Sequence, residues 1–439
     1  MNGFLKRSWI VIILLIVANA SCKDSAQTTK VNTEDLLSNS IYNLTDVIIH
    51  DIFSPPVASR IYAYSTLAYY EGLKFQEPKA ESITKKLRGF DEIPAPDSSK
   101  SYDFYLVAAT AFYSTAEMFV FSKDTLRNNK EKLLMQFKEQ LPEDRYNNSI
   151  ALGDAISEAV VKRTTKDNYT KTRGMPRFSV FKEPGKWQQT SPDYSDALEP
   201  YWNSISPLLL DSSNQFIPTP PPIYSLDKKS EYYRELLEVY NISKQLTPEQ
   251  DTIARYWDDN SFVTTHQGHL TYANKKTTPG GHWMGITSIL CNQENVSALR
   301  SAKIFALTAC SIFDGFIACW DEKYRSNKAR PITVIQEEID ANWSSLLQTP
   351  PFPECTSGHS VISSAAATVL THFLGDSIGF TDTTEMKYLG LKRSFSSIDQ
   401  AANEAGVSRL YGGIHFRSAI TLGTWQGQQV GDLYVSIFR

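Results

Sequence analysis

Apolar residues recur at intervals of three and four along most of this chain, and stretches that alternate with period two are scarce, so the pattern predicts helices and few strands. In the first half, helices are expected over Ala58–Lys74, Tyr102–Phe121, Ser149–Arg163 and Glu231–Leu246. In the second half they are expected at about 248–258, 297–325, 358–374, 384–405 and 418–436. Tyr102–Phe121 is apolar all round, the pattern of a helix buried on every side. Between the halves, 172–225 collects PGKWQQTSPDY, ALEPYW and PTPPP, which rules out one regular helix. A segment this long without regular structure is expected to pack over something or to form a lid. It reads as an ordered excursion joining an N-terminal half, 33–245, to a C-terminal half, 246–439. No repeat of 20–50 residues is visible. The expected fold is all-α, a single compact domain built from two helical halves.

Composition narrows the function. The chain has 439 residues, 41% hydrophobic and 12% aromatic, enough to bury a sizeable core. A net charge of −4 and a pI near 6.0 exclude the basic stripe of a nucleic-acid binder. At the N-terminus, Lys6 and Arg7 precede the apolar run WIVIILLIVANA, too short to span a bilayer comfortably, and then Ser21-Cys22. This is the pattern of an export signal. Ala20-Ser21-Cys22 resembles a bacterial lipoprotein box, with Asn19 where Leu is usual. That resemblance implies a signal peptide at 1–21, lipidation of Cys22, a polar tether at 22–32, and a periplasmic or outer-membrane location. A plain secretory signal is the other reading. Of the remaining cysteines, Cys291, Cys310, Cys319 and Cys355, none forms a CxxC or a Cys/His cluster at zinc spacing. Export permits disulfides but the sequence does not pair them. Cys310 and Cys319 lie in an apolar stretch and read as small core residues.

Three groups in the last third each offer oxyanion chemistry. In Lys323-YRSNKA-Arg330-Pro331 the two cations are close to two helical turns apart, so on a continuous helix they share a face about 10 Å apart. Arg330 can fork onto two oxygens while Lys323 acts as a point charge. Alone, the group reads equally as a solvated basic helix end. Ser357-Gly358-His359 stands where a helix is expected to start, and free N–H groups with the helix dipole favour an anion there. Gly358 allows close backbone approach, and His359 can exchange a proton near neutral pH. The plainer reading is that Thr356 or Ser357 caps a helix. In Ser408-Arg409-LYGGI-His415, Gly412-Gly413 breaks the helix, so a turn can bring Arg409 and His415 together.

In this order the three groups, KYRSNKARP, TSGH and SRLYGGIH, resemble the signature of the type 2 phosphatidic acid phosphatase and vanadium haloperoxidase superfamily. The motif match spans about 95 residues. The stretches PGKWQQTSPDY, ALEPYW and WDDN…TPGGHW extend the likeness to exported bacterial members over most of the mature chain. The resemblance implies vanadate as cofactor, with hydrogen peroxide and a halide as substrates. Lys323, Arg330, Ser357, the Gly358 N–H and Arg409 would hold the vanadate oxygens. His415 would bind the metal, and His359 would assist proton transfer. Phe352 and Trp320 are the implied halide-side residues, with core packing as their plainer fate. Asp258 or Asp259 would pair with Arg409, while His266, His269 and His282 read as structural or loop residues.

Two positions depart from the signature. Thr356 replaces a usual Pro, and Ala419 replaces the Asp that, in the phosphatase branch, orients the nucleophilic histidine. The missing Asp, the export pattern and the lack of a set of membrane spans favour a haloperoxidase, with iodide the easiest halide to oxidise and bromide next. The alternatives are an acid phosphatase of the same fold, with His415 as nucleophile, and a non-catalytic surface lipoprotein.

Overall fold

The structure, a computed structural model, describes residues 31–439 apart from positions 181, 262, 268, 274 and 376. The expected signal peptide, the Cys22 anchor and most of the tether lie outside the described residues. The protein is helical, and the predicted helices other than 384–405 are present with shifted ends. Ser54 caps Pro55–Leu73 through the Val57 N–H, with Pro55 at the first helical position where its missing N–H is harmless. Asp103 caps Phe104–Glu117, which sets that start two residues later than expected. Glu143–Lys162, Glu231–Lys244, Pro248–Tyr256, Ala298–Ser326, Gly358–Leu374 and Arg417–Phe438 follow the expected order.

The main hydrophobic cluster among the described residues runs through both halves. It includes Leu44, Leu67 and Phe112 from the first, and Phe305, Phe316, Ile362 and Tyr434 from the second. Pro55–Leu73 is buried along its whole length and packs on Phe104–Glu117 and Ala298–Ser326. Ala298–Ser326 is apolar enough to cross a membrane by composition, but it lies inside the protein as the central core helix. Gly358–Leu374, which opens with the Ser-Gly-His group, packs on Ala298–Ser326 and Arg417–Phe438. Gly423, Gly427 and Gly431, spaced by four, let the C-terminal helix approach closely. A Cβ at Gly427 would stand 2.1 Å from the Val361 carbonyl oxygen. Gly427→Ala is therefore expected to destabilise the fold by about 1–3 kcal/mol or more through overpacking, measured by denaturant unfolding. A loss below about 0.5 kcal/mol would refute this packing account.

The proline-rich excursion is ordered, as expected of a long segment that packs on the protein. The backbone N–H groups of Leu208, Leu209 and Leu210 donate to the Asp314 carboxylate, buried in the central helix, at 2.8–3.1 Å. Tyr434 donates its hydroxyl to the same carboxylate at 2.9 Å. Arg163 donates to the Ser206 and Pro207 carbonyls, and Trp187 and Trp202 are buried. Further on, the Leu198 carbonyl accepts from Trp320 Nε1 and the Tyr324 hydroxyl, which seats this segment against the last turns of the central helix.

Four expectations need correction. First, Lys323 and Arg330 do not share a continuous helix. The central helix stops at Ser326, Asn327 adopts a left-handed conformation at φ 49°, and Arg330 is the N-cap of Pro331–Glu338. Asn tolerates that conformation, and Pro331 disfavours helical backbone at Arg330. Second, 384–405 is not one helix. A short turn of helix at Met386–Leu389 ends at Gly390 with φ 68°, a strand follows at Arg393–Phe395, and Ser397 caps a new helix, Ile398–Tyr411. Third, three long helices, Leu36–His50, Lys123–Gln140 and Pro279–Gln293, went unpredicted. Fourth, two short antiparallel hairpins occur, Thr264–Gln267 with Leu270–Ala273 and Phe380–Asp382 with Arg393–Phe395. Cys291, Cys310, Cys319 and Cys355 are all free thiols and all buried.

Candidate active site

The three sequence groups converge on one pocket between the halves. Its lining includes Gly358, His359, Arg409, His415, Phe352 and Trp320, together with Asp258 and Asp259. Ser357 is the N-cap of Gly358–Leu374, its Oγ accepting from the Ser360 N–H, so the capping reading holds and leaves the hydroxyl proton free to be donated. The Ser357 N–H donates to the Ala419 carbonyl at 3.0 Å, which ties this helix start to the helix after His415. A Cβ at Gly358 would meet nothing closer than Trp320 at 3.8 Å. The protein's own packing therefore does not require glycine there, whereas close approach of a ligand to the backbone would.

His415 is fixed just beyond the Gly412-Gly413 break by groups from two other segments. Its Nδ1 lies 2.9 Å from Glu354 Oε1, and its Nε2 lies 3.1 Å from Arg330 Nη1. Arg330 also donates to the Phe352 and Ile414 carbonyls at 2.8 Å, while its buried Nη2 has no partner among the described residues. Lys323 is buried, and its Nζ donates to the carbonyls of Pro353, Glu354 and Thr356. It thus holds the strand before Ser357 in place and lends the site its charge. Phe352 is the hub of these cations. Its ring faces Lys323 Nζ at 5.0 Å and the Arg330 guanidinium at 4.9 Å, and it packs on Trp320 at 5.0 Å between centroids.

Burial sets the protonation. Burial, then Arg330 and Lys323, drive the His415 pKa well below its ordinary value, so the ring is neutral. Burial and Arg409 push His359 down to about 4. Burial likewise lowers Lys323, and it raises Glu354 against the pull of Arg330 and Lys323. A buried pocket holding three cations of lowered pKa favours an anion, because an anion offsets the cost of burying each charge.

The acidic residues are arranged otherwise than expected. Arg409 makes no carboxylate hydrogen bond among the described residues. It donates to the Ala254 and Trp257 carbonyls and to Ser408 Oγ. Asp258 takes Lys276 at 2.5 Å, and Asp259 takes His282 at 3.0 Å. Both aspartates still act on Arg409 through charge. Asp259 Oδ2 also stands 3.7 Å from His359 Nε2, so it backs the pocket histidine. His282, expected as a structural residue, is buried between Asp259 and Asp382, stacks on Trp257, and has its pKa raised well above normal because the two carboxylates outweigh burial. Asp259, His282 and Glu385 bring ligand atoms within 4.8 Å of one another. With both ring nitrogens held by carboxylates, however, the imidazolium is itself the cation of that cluster. His266 and His269 lie on the first hairpin.

Glu354 is the site residue that sequence reading missed. The signature places a carboxylate at 419. Here Ala419 is buried and the carboxylate on His415 comes from the segment before Ser357. A lone Glu between Pro353 and Cys355 in an otherwise apolar run was the available signal.

Fold and site together define a helical protein with a buried cationic cage around one neutral histidine, a site for a tetrahedral oxyanion. Comparison with known proteins gives that class its family. The family described as the VCPO second helical-bundle domain matches residues 303–439. A crystal structure of the first bacterial vanadium-dependent iodoperoxidase superposes with a TM-score of 0.88 at 43% identity, covering 92% of this chain and 97% of that one. Holo and apo structures of a bacterial vanadium-dependent chloroperoxidase superpose with TM-scores of 0.67 at 16% and 17% identity, covering 88% of this chain and 93% and 94% of theirs, a likeness of fold. Among curated proteins none is significantly similar. The chain belongs to the vanadium-dependent haloperoxidases.

Proposed function

We propose that this protein oxidises iodide with hydrogen peroxide, with vanadate held in the cage around His415. The observation that carries the reading is the buried Arg330 Nη2, without a partner among the described residues, on the guanidinium that also donates to a neutral His415. The iodoperoxidase likeness supports iodide as the halide. When bound, vanadate supplies activation of peroxide toward attack by halide.

The residues supply binding, shape and proton handling. His415 offers a nitrogen lone pair, the form of histidine that binds metals. Arg330 Nη2, the Gly358 N–H and the Ser357 hydroxyl would hold the vanadate oxygens, with Arg409 and Lys323 adding charge. The overall reaction consumes one proton per peroxide and halide, releasing hypohalous acid and water. His359 is placed to relay that proton. Its ring is neutral at pH 7 and so can accept a proton from peroxide, and Asp259 stabilises the imidazolium that results. Phe352 and Trp320 form an apolar wall that suits a large, weakly hydrated iodide. We also propose that the protein is exported and anchored through Cys22, a reading supported by the apolar run and the Ala-Ser-Cys sequence.

Protein stripped of vanadate by chelation and then reloaded, assayed with peroxide and each halide, tests the proposal. Iodide should be oxidised only by the reloaded protein, and faster than bromide. Oxidation of chloride or bromide in preference to iodide would overturn the halide assignment.

A further inference from the structure

His415 carries one ring proton, and its neighbours decide where that proton sits. A guanidinium donates hydrogen bonds and accepts none, so Arg330 Nη1 at 3.1 Å requires a lone pair on Nε2. With Nε2 accepting, the ring proton is on Nδ1, which lies 2.9 Å from the acceptor Glu354 Oε1. That oxygen also accepts the Phe416 N–H at 2.9 Å, and the Glu354 N–H donates to the Lys328 carbonyl at 3.1 Å. The carboxylate is thus clamped to the residue after His415, and the Glu354 backbone to the chain just before Arg330. Phe416 follows the turn that delivers His415, so ring and carboxylate move as one unit.

We propose that Glu354 is the positioning residue of the vanadate site: by accepting the Nδ1 proton and the Phe416 N–H it fixes the tautomer and tilt of His415, so that the Nε2 lone pair faces the cage. This rests on reading His415 as the vanadium ligand. The carboxylate also makes the imidazole a stronger donor, as carboxylates behind metal-binding histidines do. Losing the Nδ1 acceptor frees the ring to rotate or to place its proton on Nε2, and either change removes the lone pair from the cage.

The test uses the full-length protein labelled with ¹⁵N-histidine. In the vanadate-free wild type, long-range ¹H–¹⁵N spectra should show His415 protonated at Nδ1, assigned by its loss in His415→Ala. Glu354→Leu should lose that signature and weaken vanadate binding about 10–100-fold by isothermal titration. Glu354→Gln, which keeps an acceptor oxygen, should retain the tautomer with a smaller loss of affinity. An Nε2-protonated His415 in the wild type would overturn the proposal, as would a folded Glu354→Leu that binds vanadate within twofold of wild type. Should Glu354→Leu not fold, the wild-type tautomer and Glu354→Gln decide: Glu354→Gln that binds vanadate tenfold more weakly while its His415 is protonated at Nε2 would count against the acceptor role. His415→Ala separates the two levels, since unchanged vanadate binding in that variant would sink the ligand reading itself.

Discussion

Replacing His415 with alanine is expected to abolish vanadate binding and halide oxidation together. Of the two neutral imidazoles in the pocket, His415 is the one held against Arg330 and Glu354, and the cations and hydrogen-bond donors around it cannot replace a coordinate bond. The loss should exceed the roughly 10–100-fold that removal of an outer-sphere partner produces. Titration of the variant with vanadate, alongside iodide oxidation, checks this. Arg330 donates to both His415 and the Ile414 carbonyl. A circular dichroism melt should therefore accompany the assay, to show that the fold survives. Retained activity would mean that the ligand lies elsewhere.

The second large effect concerns stability. Asp259→Asn breaks a buried ionic cluster and leaves His282 with one hydrogen-bonded carboxylate, Asp382, where it had two, the Glu385 carboxyl standing 3.9 Å away. Breaking a buried pair in this way costs about 3–5 kcal/mol. The dependence on pH follows from the directions of the shifts. Asp259 and Asp382 are held below the ordinary 3.8 because His282 outweighs the raising effect of burial. Their contribution is present above that value and is lost as pH falls through the lowered values. His282 is raised above 6.5, so its contribution is present below 6.5 and is lost only as pH rises through the raised value. The cluster therefore stabilises the fold from about pH 4 to beyond neutrality. Urea unfolding of wild type and Asp259→Asn at pH 7 should differ by the full amount, and a difference under about 1 kcal/mol would show that the cluster is not ionised as described.

Much of this site was legible because its chemistry sits at helix ends that the sequence marks. Gly358–Leu374 begins at the predicted residue, since Ser357 is a strong N-cap before a long apolar run. The Gly412-Gly413 break that frees His415 was likewise visible. What misled the reading was geometry decided by single residues. Asn327 and Pro331 turn the chain between Lys323 and Arg330, and an ideal two-turn spacing conceals that turn. Gly390 and Ser397 similarly split the expected 384–405 helix. The amphipathic helices at 36–50 and 123–140 are rich in polar residues, and Lys123–Gln140 buries only Leu126 and Phe137, so its periodic signal is faint. The pairing of Glu354 with His415 spans 61 positions. No local pattern encodes such a contact, and the same holds for Asp259, His282 and Asp382.

The central claim is that the cage binds vanadate as a cofactor for oxidation. The direct measurement follows iodide oxidation and p-nitrophenyl phosphate hydrolysis in one preparation while vanadate is titrated into the stripped protein. Iodide oxidation should rise from zero and saturate at one vanadate per chain, with no hydrolysis at any point. Phosphate-ester hydrolysis by the stripped protein that vanadate merely inhibits, with no iodide oxidised, would contradict the account.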